Sequence, residues 1–360
     1  MRIIEEVKLD FSDVLIKPNR STLASRNQVN LIKEFKPKYG IPFSGIPIMA
    51  ANMATGTFDM LRTFSKHSMF VAIAKHHNNM WLEEYNKDKS ILDYGFYTIG
   101  MSKWELDDLY DFNDDIDFDK RLKIVVDIAN GYTQNFADFV GSVRDKFPEN
   151  VIIAGNVATP EMTQELIIAG ADYVKVGIGP GSVCSTRRMT GIGYPQLSAI
   201  IECADAAHGL GGGIIGDGGI RTPGDASKAL CANADMVMIG GMFAGTDECD
   251  GEITEKTFET GELYWDNGEY VKSAEMKQFK KFYGMSSEYA QETHGAGKKE
   301  YRASEGVVSE VPYVGSVEPI VKELLGGIRS TGTYIGADHI KNFGKCATFI
   351  KVNRIHDRNT

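Results

Sequence analysis

No two cysteines in this 360-residue sequence stand close enough to form a CxxC pair. Cys184, Cys203, Cys231, Cys249 and Cys346 are odd in number and at least 18 residues apart. That spacing argues against a disulfide framework and a zinc ribbon, and for a reduced, cytoplasmic chain. No apolar run approaches the ~18 residues of a membrane span. The opening stretch MRIIEEVKLDFSDVL is too acidic, and too short in apolar run, for a signal peptide. Basic residues are the minority, 39 Lys+Arg against 49 Asp+Glu, and the formal charge of −10 argues against general nucleic-acid binding. GxxxxGK[ST] does not occur, and the one GxGxxG match, Gly211–Gly216, runs into a strand candidate instead of following one, so dinucleotide and P-loop readings of the usual kind are disfavoured. The seven histidines are scattered without HExxH or another compact metal set, which disfavours catalytic zinc.

Glycine is what the chain has in excess: 38 residues, gathered in short patches that suit tight turns and close approach of backbone to a ligand. Short apolar runs recur at Ile46–Ala51, Phe70–Lys75, Phe96–Gly100, Ile124–Asp127, Val151–Gly155, Tyr173–Gly177, Gly213–Asp217 and Met236–Gly240. Runs such as IVVD, VIIAG and MVMIGG are almost unbroken in apolarity, as strands buried on both faces should be. Helical patterns lie between them at 58–67, 81–92, 132–147, 159–170, 193–209 and 222–233, five of the six beginning near Thr, Asp or Pro. Eight strands alternating with helices predict an α/β chain folded as a (β/α)8 barrel, one catalytic domain over 1–360. A doubly wound sheet is the alternative, because periodicity does not report closure. Two segments, 159–177 and 222–241, repeat the order of capped helix, Ala-Asp turn and strand, which supports the barrel and says little of chemistry.

Three segments stand outside this pattern. Residues 105–119 hold eight acids and no base, and read as a solvated loop or helix surface. Residues 245–283 interrupt the end of the barrel with an aromatic hairpin turning on Asp-Asn-Gly. Following the last strand, this excursion is expected to be an active-site flap. The basic tail beyond Lys341 contains a strand candidate, ATFIKV, suited to closing a barrel end or a subunit contact.

Three windows can carry chemistry. In VKVGIGPGSVCSTRRMTGIG a strand runs out at Gly177, and Gly179, Pro180 and Gly181 shape a loop holding Cys184. Its polar and cationic neighbours, Ser182, Ser185, Thr186, Arg187 and Arg188, suit a nucleophilic thiol better than a core cysteine. The same glycine turn can instead aim carbonyls at a cation, and both readings stand. In GGGIIGDGGIRTPGD, Asp217 ends a strand before Gly218 and Gly219, and Gly240 and Gly241 repeat the arrangement after the eighth strand. Barrels commonly hold phosphate between those two loops. The third window, FYGMSSEYA with YRASEG, gathers Ser286, Ser287, Arg302, Ser304 and Glu305 as polar partners for a heterocycle, with Glu305 a proton-transfer candidate.

The loop GIGPGSVCSTR, with NMATGTF, DGGIR and YGMSSE, resembles the IMP dehydrogenase and GMP reductase family over residues 5 to 352. YRASEG and GGIRSTGTY resemble its reductase branch. The resemblance implies a cytoplasmic homotetramer of purine nucleotide salvage that reduces GMP to IMP and ammonia with NADPH. It implies Cys184 as the nucleophile attacking C2 of guanine, through a covalent thioimidate. Thr186 and Glu305 follow as the pair that activates the thiol and protonates the departing ammonia. Asp217, Gly218, Gly219, Gly240 and Gly241 would surround ribose and phosphate. Met285, Ser286, Ser287, Arg302, Ala303, Ser304 and Gly306 would line the nucleotide and the hydride path. The dinucleotide would meet Lys75, His76, Asp127, Ile128, Ala129, Ile178, Gly179, Tyr301, Arg302 and a loop of Ser330, Thr331, Gly332 and Thr333, with Ser25 and Arg26 nearby. Carbonyls of Gly179, Gly181 and Cys184, beside Arg187, would bind a potassium-like ion.

Four features depart from the family pattern. Ser185 stands for a common threonine, Ala54 for an aspartate and Gly216 for a serine, while 245–283 is longer than a compact flap. There is no room for the dehydrogenases' regulatory CBS module, and no Arg-Tyr dipeptide to activate water. A dehydrogenase lacking that module, or a weakly catalytic purine-nucleotide-binding protein, are the competing readings. Neither nucleic acid nor membrane is expected as a partner.

Overall fold

The computed structural model describes residues 1, 3–116, 119–266, 269–285, 287–294 and 306–353. Eight parallel strands close on themselves: β1 (Ile48–Ala50), β2 (Phe70–Ala72), β3 (Gly95–Ile99), β4 (Lys123–Asp127), β5 (Val151–Val157), β6 (Tyr173–Val176), β7 (Gly213–Asp217) and β8 (Met236–Ile239). The last seam pairs Val237 with Ile48 and Ile239 with Ala50, so the sheet is a barrel and not a doubly wound sheet. Each strand coincides with one of the apolar runs, because a strand covered by helices outside and packed inside can carry few polar residues.

Side chains alternate between the two faces. Phe70, Phe96, Val125, Ile153, Tyr173, Ile215 and Met238 fill the interior, while Val71, Tyr97, Val126, Ala154 and Val174 meet the helices. At the amino ends of the strands the interior is stoppered by a short antiparallel pair, Lys33–Phe35 with Phe43–Gly45. Phe35 and Phe43 stack 4.6 Å apart, and Phe70, Phe96 and Tyr173 meet them edge-on.

The two Ala-Asp turns fasten this end. Asp172 accepts from the Ile152 amide of β5 at 2.9 Å, from Tyr39 and Gly40 amides of the stopper, and from Arg144 at 2.7 Å. Asp235 does the same job one repeat later, accepting from the Ile214 amide of β7 and meeting Lys33 and His208. Burial alone would raise the Asp235 carboxyl, but Lys33 and His208 hold it down at about 2.

Several details differ from the sequence reading. The acidic segment is a helix surface and not a loop: Lys103–Asp115 buries Glu105, Leu109 and Phe112 and exposes Asp107, Asp108, Asp111, Asp114 and Asp115. The pattern at 81–92 breaks into Trp81–Lys87 and Ile91–Tyr94, interrupted by Asp88, Lys89 and Ser90. The run Phe70–Lys75 is strand only to Ala72, and Lys75 and His76 open a 3-10 helix, Lys75–Met80. Ser330–Thr333 is not a loop; it lies in the helix Glu318–Ile335, a regular turn whose small residues let it approach its neighbours. The tail strand Phe349–Lys351 pairs antiparallel with Val14–Ile16, outside the barrel.

The 245–283 excursion is a long antiparallel ribbon, Ile253–Asp266 with Glu269–Tyr283, closing where Asp266 faces Glu269. Its root is widened to three strands by Val308–Pro312. Among the described residues no helix is long and apolar enough to cross a membrane.

Candidate functional site

The carboxyl ends of the strands bring together charges that lie far apart in the chain. Lys175 of β6 is 3% exposed, and its Nζ lies 2.6 Å from Asp127 at the end of β4 and 3.2 Å from Asp217 at the end of β7. It also donates to Asn52 Oδ1 at 3.3 Å. Burial would pull this ammonium down, but the two carboxylates hold it charged and raise it. Asp127, for its part, is pushed up by burial and more than brought back by Lys175 and Lys75. Asn156 of β5 donates to Asp217 at 2.8 Å and to the Gly177 carbonyl at 2.9 Å. Its Oδ1 is buried without a hydrogen-bond partner among the described residues, leaving an acceptor for a ligand.

Cys184 stands over this cluster, with Sγ 3.2 Å from the Thr186 hydroxyl. The cysteine loop is held from both sides. The Cys184 amide bonds the Gly181 carbonyl, Cys184 bridges Gly306, and the Val307 amide bonds the Val183 carbonyl. Burial pushes the thiols of Cys203, Cys231 and Cys249 up to about 12, which suits inert core residues. Cys184 alone among the five lines a described cavity.

That cavity, of about 240 Å³, is bounded by Asp127, Ile128, Ala129, Asn156, Lys175, Ile178, Gly179, Cys184, Thr186, Met285 and Gly306, among others. It shares Ala51, Met53, Gly181, Val183 and Asp217 with a second cavity of about 330 Å³. The second is walled by Ser182, Gly218, Gly219, Arg221, Gly240 and Gly241. Gly218 and Gly219 have φ of +87° and +80°, a backbone that side chains resist. On the other side, Ala129, Ile178 and Thr186 lead to a third cavity of about 450 Å³ beside Tyr132 and Tyr194. The three spaces form one run across the barrel mouth, with the thiol in the middle.

The sequence candidates therefore divide. Asp127, Ile128, Ala129, Ile178, Gly179, Gly181, Cys184, Thr186, Asp217–Gly219, Gly240, Gly241, Met285 and Gly306 meet around connected spaces. Ser287 does not join them: it is 1% exposed, and its hydroxyl accepts from the Ala290 amide of the next helix. Arg187 folds against Gly179 and Gly193 and donates to the Tyr194 carbonyl at 2.6 Å, which makes it a brace for the loop. Lys75 pairs with Glu105, and His76 with Asp250. Ser25 caps the turn Arg26–Gln28, which packs against the helix Glu318–Ile335. There Thr331 donates to Ser227 and Gly332 is buried against Val29. Neither Ser25, Arg26 nor Ser330–Thr333 lines the three cavities. Ser286, Tyr301, Arg302, Ala303, Ser304 and Glu305 lie outside the described residues.

Sequence reasoning missed Lys175, Asn156, Asn52, Met53 and Arg221. For Lys175 the signal was present: a lysine inside a strand buried on both faces needs a counter-charge. Two of the four departures from the family pattern, Ala54 and Gly216, are accommodated locally. Ala54 is buried in an apolar cluster with Val183, Ala244, Cys249 and Phe282. A Cβ at Gly216 would meet Ile200 Cδ1 at 2.9 Å, so the space is already filled.

Comparison with known proteins is consistent with this site. The family model for the IMP dehydrogenase / GMP reductase domain matches residues 115–357. The chain is 48% identical to GMP reductase 2 of Mus musculus over 355 residues, 98% of this chain and 96% of the mouse protein. It is 48% identical to GMP reductase of Photobacterium profundum over 359 residues, 98% and 97% of the two chains. To human GMP reductase 1 it is 48% identical over 360 residues, 99% and 98% of the two chains.

Proposed function

The chain belongs to the IMP dehydrogenase / GMP reductase family, and we propose that it converts GMP to IMP and ammonia as a single catalytic domain with the 253–283 ribbon as its flap. The observation that carries this reading is the thiol of Cys184 in a cavity with Lys175, Asp127 and Asp217, joined to a second cavity walled by glycines and Arg221.

The glycine-walled cavity suits ribose and phosphate, since bare backbone approaches closely and Arg221 offers a fork of donors to a phosphate. Guanine then falls beside Cys184. The Thr186 hydroxyl, 3.2 Å from Sγ, is positioned to take the thiol proton as sulfur adds at C2. Proton delivery to the amino group lets ammonia leave, with Glu305 the proposed partner of Thr186. This leaves a thioimidate between Cys184 and the purine. Collapse of the reduced adduct expels the thiolate and releases IMP.

The residues present fit a nicotinamide: Asn156 Oδ1, without a partner among the described residues, would accept from a carboxamide, and the passage past Ala129 and Ile178 would take the rest of a dinucleotide. NADPH would supply the hydride that adds at C2. Asp127 and Lys175 would order the polar groups around it, and the closed loop around Cys184 and Gly306 would keep out water, whose attack gives XMP instead. Ser25, Arg26 and Ser330–Thr333 would meet the dinucleotide from a neighbouring copy in a homotetramer.

Among the described residues, the backbone of the cysteine loop is what fits a monovalent cation. The Gly181 carbonyl already accepts from the Cys184 amide but keeps a second lone pair. Arg187, as a cation, would brace that loop and not ligate. Turnover should fall in potassium-free buffer at matched ionic strength and recover when potassium is restored; equal rates would exclude an activating ion.

Chromatography of two reactions tests the assignment. GMP with NADPH should yield IMP and ammonia in equal amounts. IMP with NAD should yield XMP only very slowly, and dominant XMP would make the chain a dehydrogenase.

A further inference from the structure

Two neighbouring histidines and one distant aspartate converge at the foot of the ribbon. His76 Nε2 lies 3.0 Å from Asp250 Oδ2, and His77 Nε2 lies 2.7 Å from the same oxygen. The two rings are 4.3 Å apart and tilted by 49°. All three ligand atoms fall within 4.8 Å of one another, and each side chain is part-buried, screened from bulk water yet reachable. The sequence contains no compact metal motif because these ligands are 173 residues apart and meet only through the barrel.

We propose that His76, His77 and Asp250 bind one first-row divalent transition ion, such as Zn2+ or Fe2+. Two imidazoles and one carboxylate form the donor set that such ions take, with coordination positions left for water. Calcium and magnesium are disfavoured because they prefer oxygen ligands alone. On binding, each imidazole presents its Nε2 lone pair to the ion, so the proton that Nε2 directs at Asp250 in the metal-free protein moves to Nδ1 or is released to water. The carboxylate and the ion leave a net charge of +1 at the site.

The scaffold around the ligands is fixed. The Asp250 amide bonds the Ala54 carbonyl at 2.7 Å. Cys249 Sγ donates to the Asp250 carbonyl at 3.3 Å, and Lys280 of the returning ribbon strand donates to the Cys249 carbonyl. The histidines begin a 3-10 helix following β2, and Asp250 lies just before the ribbon strand Ile253–Asp266. An ion here ties the start of the ribbon to the barrel wall. The inference is independent of the reductase reading, since it concerns metal binding alone.

The test uses the full chain carrying Cys184→Ala and Cys346→Ala, so that neither part-exposed thiol can compete for metal. After removal of metal with chelator, titration with Co2+ and Zn2+ should give one saturable site per chain. Co2+ should show the visible absorption of a nitrogen- and oxygen-ligated low-coordinate ion, displaced by Zn2+. Asp250→Asn, which keeps the shape of the side chain, and His77→Gln should each weaken binding by more than about tenfold, the scale on which even outer-shell changes act. Zn2+ should also slow hydrogen exchange in residues 250–256 of the parent but not of Asp250→Asn. Failure of the parent to bind one equivalent, or undiminished affinity in both variants, would overturn the proposal.

Discussion

Lys175 illustrates how one residue organises the mouth of the barrel. Its ammonium is shared between Asp127 and Asp217, so the two acids at the ends of different strands are tied to one cation beside the thiol loop. Lys175→Met should preserve the size of the side chain, cost about 3 kcal/mol of stability by leaving two part-buried acids without their shared cation, and abolish turnover. Urea denaturation and steady-state rates measure the two effects; normal turnover would remove the cluster from the chemistry. Cys184→Ala acts at a different point. NADPH oxidation should vanish while GMP still raises the melting temperature, because the glycine-walled cavity does not depend on sulfur. Near-normal turnover by that variant would dismiss the thiol.

At the scale of elements, the ribbon combines a supported root with an unsupported tip. Phe279–Tyr283 is backed by Val308–Pro312, but beyond it two strands stand alone, and isolated hairpins are marginal in water. Trp265 and Tyr270 pack ring to ring at 4.8 Å near the tip while remaining 63% and 69% exposed. Amides across 253–266 and 269–283 should therefore exchange fast in the free protein and slow when GMP and an oxidised dinucleotide are added. Hydrogen exchange followed by mass spectrometry reads this directly. Unchanged protection would make the ribbon a static contact between copies instead of a flap.

Over the whole molecule, stability and chemistry are separated along the barrel axis. The mouth holds the thiol and the charge cluster, while the opposite end is tied by Asp172 and Asp235 to the stopper. Asp172 is fully buried and bonded to Arg144, so Asp172→Asn should cost about 3–5 kcal/mol by leaving the guanidinium without its charge partner. The KM for GMP and the turnover per folded molecule should stay the same. A matching loss of activity in the folded fraction would show the two ends to be coupled.

The alternation of apolar runs and helical patterns by itself determined the eight strands and their order, because burial on both faces forces each strand to be apolar. It also determined the ribbon, from Asp-Asn-Gly between two β-rich stretches, and the thiol loop, from glycines ahead of a polar-flanked cysteine. Closure belonged to the tertiary structure, since the β8–β1 seam leaves no mark on periodicity. So did the helix at Ser330–Thr333, whose Gly and Thr residues are weak helix formers held by packing against the helix Pro223–Cys231. The pairing of Lys175 with Asp127 and Asp217, and of His76 and His77 with Asp250, was likewise decided in three dimensions. A charge in the sequence announces that it needs a partner, and only the fold brings that partner within hydrogen-bond reach.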